Sequence, residues 1–535
     1  MAETEELNGS GGPDVSKWGR IEVTFESSEV YKNPIQEVAL QVIFTSPSGG
    51  SHNVIGFWDG STRFRARFTP EEEGVWSYVT FCSDMDNGGL HNREGDFVCG
   101  PADTITAFDE HGPVRLSGDR SHFIHADETP FFWLADTAWN GCLLSSKDEW
   151  QYYLSERVRQ GFTAVQWVAT PWRSAPTDRE GQKAFDGVER ININPRFFQR
   201  LDELIDMTYD VGLLNAPVML WTNKGGEHPE MNPGVGLPED QLILLAEYMV
   251  ARWACYPIVW ILGGDGSYEG EHAERWQRIG KTVFGKNAHA PIAMHVQGQQ
   301  FPVEEFRGES WMDVLGYQSG HGDGETVLQW ITTGPPAEEW KKTPRQFYLN
   351  MEPAYENHVA YQSKKPHDAA SVRMAIYWSL LNAPTAGVTY GGHGVWGWDD
   401  GSGPPMDHPN SGTPLPWRDA LIMEGAEQMR HLRDAFDIVE WWRLRPAPEV
   451  LAEQPGEEDV HNHILISKTN TSDYIVAYTP QGKPIKINMS GLPSRLGAVW
   501  YNPRTGEPEA AAPNEDGDVR IYDTPDDEDW LLVLA

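Results

Sequence analysis

The sequence predicts an α/β fold: a (β/α)8 barrel flanked by two all-β sandwich domains. Three observations predict it. Eight short apolar runs alternate with amphipathic segments over about 300 residues, the count of a (β/α)8 barrel. Before and after this stretch, runs of alternating polarity are punctuated by Gly, Pro and Asn clusters about every 8–12 residues, as in a sandwich. The chain also carries no GxGxxG after an early strand and no GxxxxGK[ST], so a doubly wound nucleotide-binding sheet is the weaker alternative.

The elements follow in order. Residues 1–16 form a polar tail, expected to be disordered. Residues 17–103 read as the first sandwich, through IEVTFES, VALQVIFTSPSG, SHNVIGFWDG and TRFRARFTPEEEGVWSYVTF. Residues 104–436 hold the barrel, with its apolar runs at 131–138, 164–170, 213–221, 257–266, 292–298, 312–320, 346–354 and 387–396. Of the helices between them, 194–212 is the clearest. Asn194 suits the N-cap, Pro195 the first helical position and Gly212 the C′ position. Phe197, Leu201, Leu204, Ile205 and Tyr209 share one face of it. Residues 437–535 return to strand grammar, ending on WLLVLA, and form the second sandwich.

Charge narrows the class of partner. The 535 residues hold 42 basic and 79 acidic side chains, a net charge of −37. That excludes a nucleic-acid backbone or an anionic membrane as partner, since both demand clustered positive charge. Only 14 of the basic residues are Lys, and an acidic, Lys-poor surface predicts a salt-loving cytoplasm, where self-repulsion is screened. No apolar run approaches the ~18 residues of a membrane span. The start, MAETEELNGSGGPDVS, has neither a basic nor an apolar leader segment, so a cytoplasmic protein is expected, or a secreted one if a leader has been lost. The four cysteines lack zinc-type spacing; Cys82 and Cys99 either pair or stay as free buried thiols. His461 and His463 fall on one face of an expected strand, a weak metal candidate, and neither a metal nor a cofactor is expected.

In a barrel, reactive groups belong at the C-terminal ends of strands. Strand four ends WILGGDG and presents Asp265; strand seven ends YLNMEPAYE and presents Glu352. Either acid alone is as well explained by a capped loop or an Arg pair. Together, facing across a barrel mouth, they are what acetal hydrolysis needs: one proton donor to the leaving oxygen and one carboxylate to attack the anomeric carbon or to activate water. The 23 Trp residues add indole faces suited to sugar stacking. Expected sugar contacts are Asp136, Trp139, Trp172, Trp221, His295, Gln318, His321, Tyr355, Glu356, His393, Trp396 and Trp398, led by Asp136, His295, Gln318 and His321. Strand three also supplies Asn223.

FFWLADTAWNG, WILGGDG, YQSGHG and NMEPAYE together resemble the barrel of the apiosidase-like glycoside hydrolases. GFWDG and RFTPEEEGVWSY resemble the β-sandwich preceding such barrels, and YNPRTGE the trailing module named for collagen binding. The resemblance implies a retaining glycosidase of the superfamily whose carboxylates stand on strands four and seven, with Asp265 as acid/base and Glu352 as nucleophile. Most of that superfamily has Asn-Glu where this chain has Gly264-Asp265, and the apiosidase-like branch is similar in using Asp there. Substrate does not carry over with the barrel; exo action on a carbohydrate, and a furanoside in particular, is the expectation. A catalytically inactive carbohydrate-binding protein, an inverting hydrolase and a transglycosidase remain as alternatives, and the oligomeric state is not legible.

Overall fold

The computed structural model describes residues 13–285, 289–405, 408–493 and 495–535. Each of the eight apolar runs contains a parallel strand: β1 (Trp133–Thr137), β2 (Ala164–Val168), β3 (Leu214–Trp221), β4 (Trp260–Gly264), β5 (Ile292–Gly298), β6 (Val314–Gln318), β7 (Phe347–Glu352) and β8 (Gly387–Tyr390). They are ordered β7-β6-β5-β4-β3-β2-β1-β8. β1 pairs directly with β8, Trp133 opposite Gly387. The ring closes at its upper rim through a parallel bridge between Glu356 and Gly392. Strands buried on both faces lose the polar alternation of an open sheet, which is why these runs read as continuous apolar text.

The helix expected over 194–212 spans Pro195–Asp210, with the Asn194 side chain accepting the Arg196 N–H and Gly212 in the left-handed region at φ 77°. Below the barrel, the antiparallel strands Val114–Leu116, Phe123–His125 and Pro130–Phe131 form a floor. There Phe123 packs edge-on against Phe347 at 5.0 Å and beside Trp133.

The N-terminal strands form two sheets joined by Ser51–Trp58. Its residues 51–56 pair with Leu40–Thr45, while Phe57 and Trp58 pair with the strand Arg63–Phe68. The core between the sheets is aromatic, with Phe44 stacked on Phe68 at 4.5 Å. The expected disordered tail is partly wrong. Val15–Ser16 adds a short parallel strand beside Cys99 and Gly100, held by Asp14, whose carboxylate and backbone N–H both engage Val98. Residues 1–12 lie outside the described residues. All four cysteines are free and buried, so the Cys82–Cys99 pair does not form.

The C-terminal module stacks a six-stranded sheet on a three-stranded one. His461 lies in a 3-10 turn (Val460–Asn462) with His463 just after it, not on the expected strand. One face of the larger sheet packs on its own core. The other, with Val476, Tyr478, Leu531 and Val533, is continuous with the apolar core of the barrel. Buried ion pairs fasten both junctions: Arg252 with Asp59 at 2.8 Å and Asp202 at 2.7 Å, and Arg373 with Asp529 at 2.8 Å.

Candidate active site

β4 ends on two glycines that packing requires. A Cβ on Gly264 would lie 2.4 Å from Val218 and 2.7 Å from the Trp221 ring. Asp265 follows in the left-handed region at φ 49°, a conformation that costs a non-glycine residue energy and is found at functional sites. In it the Asp265 backbone N–H donates to His295 Nδ1 at 3.2 Å. The Asp265 carboxylate accepts from Gln318 Nε2 at 3.0 Å and from Asn223 Nδ2. Asn223 is itself oriented by the Gly225 N–H, which donates to its Oδ1 at 2.7 Å.

Glu352 stands at the tip of β7. His321 Nε2 donates to its Oε1 at 3.2 Å, and His295 Nε2 lies 3.3 Å from its Oε2 at an oblique angle. Each imidazole has its Nδ1 occupied as an acceptor, by the Asp265 N–H in His295 and by the Tyr355 N–H at 3.3 Å in His321. The proton of each neutral ring therefore sits on Nε2, and both N–H groups face Glu352. The single ring of His295 thus links the two acid-bearing strand tips.

These partners drive the two acids apart in proton affinity. Burial, then the Glu352 charge, pushes the Asp265 carboxyl up to about 6, against the opposing pull of Asn223, His295 and His408. Burial also disfavours the Glu352 charge, but the His295 and His321 imidazoles that face its oxygens outweigh it and hold that carboxyl well below the usual carboxylate range. The two carboxyls thus have opposed shifts in one site, Asp265 holding its proton to higher pH than Glu352. Asp265 is partly exposed and the Glu352 side chain is 9 % exposed, so neither acid is sealed in the core. A separate cavity of about 810 Å³ lies against the residues preceding β4, β5 and β6 (Pro257, Pro291 and Asp313), on the side of the barrel away from the carboxylates.

Of the expected contacts, His295, Gln318, His321 and Tyr355 surround the two acids. The Tyr355 ring lies 4.5 Å from His321, and its hydroxyl is buried beside Glu352. Trp139 packs edge-on against His295 at 5.4 Å and Trp221 at 5.5 Å. Trp172 lies against Trp221 at 4.4 Å. Trp396 donates its N–H to His393 Nδ1, and His393 reaches the Gly412 carbonyl at 3.2 Å. These four tryptophans are at most 3 % exposed, so they wall the site and offer no open face to a sugar.

Three expected contacts are elsewhere. Asp136 points into the helix layer, where Tyr153 donates to it at 2.6 Å and Arg157 pairs with it at 2.7 Å. Glu356 accepts from Tyr390 at 2.6 Å and from the Gly425 N–H at 3.0 Å. That N–H is in the first turn of the helix Glu424–Asp437, a natural seat for a carboxylate. Trp398 stacks on Trp417 at 4.2 Å and packs against Tyr153, again outside the ring of strands.

Two residues at the mouth were not anticipated. His358 stacks on His321 at 4.2 Å. Tyr361 stands edge-on to His321 at 5.9 Å, is 47 % exposed, and its N–H donates to the His321 carbonyl at 3.1 Å. Burial, then the charges of Glu352 and Asp265, pushes its hydroxyl up to about 12. An aromatic six positions past Tyr355 in the same loop was the available signal. No group of three or more His, Cys, Asp or Glu side chains is arranged to hold a metal ion among the described residues.

A closed ring of parallel strands carrying acids at the tips of β4 and β7 is an arrangement that glycoside hydrolysis can use. The comparisons agree. Residues 117–443 match the apiosidase-like catalytic domain, residues 14–83 a domain of unknown function (DUF5060), and residues 446–535 the "Putative collagen-binding domain of a collagenase". The first match covers more than half of the chain, which belongs to the apiosidase-like family and is a glycosidase. Among solved structures it is similar to a glycoside hydrolase at 22% identity and TM-score 0.71, over 81% of this chain and 98% of the other. It is similar to a family 5 glycoside hydrolase from Bacteroides vulgatus ATCC 8482 at 21% identity and TM-score 0.70, over 81% and 95%. A structure from that organism described as a "putative glycoside hydrolase" aligns over 97% of this chain and 99% of its own, at 18% identity and TM-score 0.71. At these identities the likeness is one of fold. No curated protein matches the sequence.

Proposed function

We propose that the chain hydrolyses a glycosidic bond with retention of anomeric configuration, Glu352 acting as nucleophile and Asp265 as acid/base. One observation carries this reading: the single imidazole of His295 accepts the Asp265 N–H and faces the Glu352 carboxylate, linking the two acid-bearing strand tips. Ionised Glu352 attacks the anomeric carbon while Asp265 gives its proton to the leaving oxygen. In the second step Asp265 takes a proton from water, whose oxygen displaces Glu352. His295 and His321 hold the Glu352 oxygens in place and stabilise their charge before attack, and Gln318 and Asn223 orient Asp265.

Little of either acid is exposed, which supports exo action at a chain end over attack on a mid-chain segment. The apiosidase-like family match is the basis for proposing a furanoside as substrate. The surface charge of −37 supports work at high salt. The test is a screen of nitrophenyl glycosides and oligosaccharides, with the first-formed product followed by NMR at the anomeric proton. Retention supports the double displacement; inversion refutes it. Binding without release would favour a carbohydrate-binding protein.

A further inference from the structure

β7 carries one residue more than its neighbour can pair. Between β6 and β7 the register runs Gly316–Leu349, Tyr317–Asn350 and then Gln318–Glu352, so Met351 is extra and forms a β-bulge. Strict alternation would turn Glu352 away from the mouth. Tyr348 and Asn350 both face the helix layer: the Tyr348 hydroxyl donates to the Pro336 carbonyl at 2.5 Å, and Asn350 Nδ2 donates to Ser379 Oγ at 2.9 Å. Glu352, two residues further on, belongs by period to that same face. It lies instead between His295 and His321. The bulge accounts for the reversal. Met351 takes the inner face over Gly316, where a Cβ would lie 2.3 Å from the Met351 sulfur, and Glu352 follows it inward.

Asn350 ties this bulge together. Its Oδ1 accepts the Glu352 N–H at 3.3 Å and the Ser319 N–H at 3.4 Å. Its Nδ2 donates to Ser319 Oγ and Ser379 Oγ, each at 2.9 Å. The side chain is 2 % exposed, and both of its donor hydrogens and both acceptor positions are used. The carboxamide thus takes the place of the ladder bonds that the extra residue removes. From inside the barrel, Gln166 Nε2 donates to the Met351 carbonyl at 3.0 Å.

We propose that Asn350 is a positioning residue whose carboxamide locks the bulge at Met351 and so turns Glu352 into the mouth. Its importance for turnover rests on the reading of Glu352 as nucleophile; the lock itself does not. Asn350 contacts Glu352 only at its backbone N–H, not at its carboxyl, and acts through the backbone of β7.

The test compares crystal structures of Asn350→Ala and Ser379→Ala with that of the wild type, together with the imidazole nitrogen resonances of His295 and His321. Asn350→Ala is expected to restore regular pairing, swing Glu352 toward the helix layer, and shift both Nε2 resonances as they lose the carboxylate. Ser379→Ala removes only the outer anchor and is expected to leave Glu352 and both resonances in place. If Asn350→Ala does not fold, Asn350→Asp keeps an acceptor for both backbone N–H groups, and Glu352 is expected to stay between the histidines. The proposal is overturned if Glu352 holds its position in Asn350→Ala, if Ser379→Ala displaces it equally, or if Asn350→Asp displaces it. Turnover of Glu352→Gln judges the nucleophile separately, so the two ideas fail by different measurements.

Discussion

Replacing Asp265 with Asn is expected to raise stability at neutral pH relative to acidic pH, while removing the proton donor. The Asp265 carboxyl titrates at about 6 against an ordinary 3.8, so the folded chain binds this proton more tightly than the unfolded one. That contribution is complete below about pH 4 and is lost as pH rises through about 6. The shift of about two units corresponds to at most about 3 kcal/mol. Partial exposure of the side chain scales this toward about 1–2 kcal/mol. An Asn at 265 carries no such penalty. It must turn its own amide toward Gln318 or Asn223, both donors, and so loses a hydrogen bond worth about 1 kcal/mol at any pH. The difference between variant and wild type cancels that constant loss when compared across pH. The variant should therefore gain about 1–2 kcal/mol on the wild type between about pH 4.5 and about pH 7.5, read as a relative rise of a few degrees in melting midpoint. An offset that does not change with pH would refute both the raised proton affinity and the role of Glu352 in causing it.

Three further outcomes follow from the same geometry. Asp136→Asn should lower the melting temperature by leaving Arg157 buried without its anion, about 3 kcal/mol or more, and leave KM unchanged; a raised KM with an unchanged melting point would return Asp136 to the substrate site. Arg373→Met should lower stability by a similar amount by stranding Asp529 between the barrel and the C-terminal module, as thermal unfolding would show. Tyr361→Ala should weaken substrate binding by about tenfold, because this ring offers an exposed face at the mouth, whereas Tyr361→Phe should bind normally; steady-state KM for both variants checks this.

Much of the architecture was legible because the barrel's signals are local. Each strand is a short apolar run, and the helix after 194 carries its own cap and stop residues. Asp265 and Glu352 could be named from the sequence because both lie at the ends of expected strands, although the inward turn of Glu352 depends on the bulge. What was not legible depends on which face a side chain takes. β1 is buried on both sides, so no alternation marks Asp136 as outward. Glu356 is claimed by a helix start nearly seventy residues later, which no local pattern reveals. The abundance of Trp suggested sugar platforms, yet most of these rings pack the walls, and the exposed aromatic at the mouth is Tyr361. The bulge at Met351 also leaves no trace in periodicity, since it depends on pairing with β6.

The most direct measurement is the mass of a trapped intermediate. A 2-deoxy-2-fluoro analogue of the sugar that the enzyme turns over, carrying a good leaving group, should slow the second step and leave the sugar on the protein. Peptide mapping is predicted to find the added mass on Glu352. Label on another residue, or continued turnover with no covalent species, would contradict the assignment of Glu352 as the attacking group.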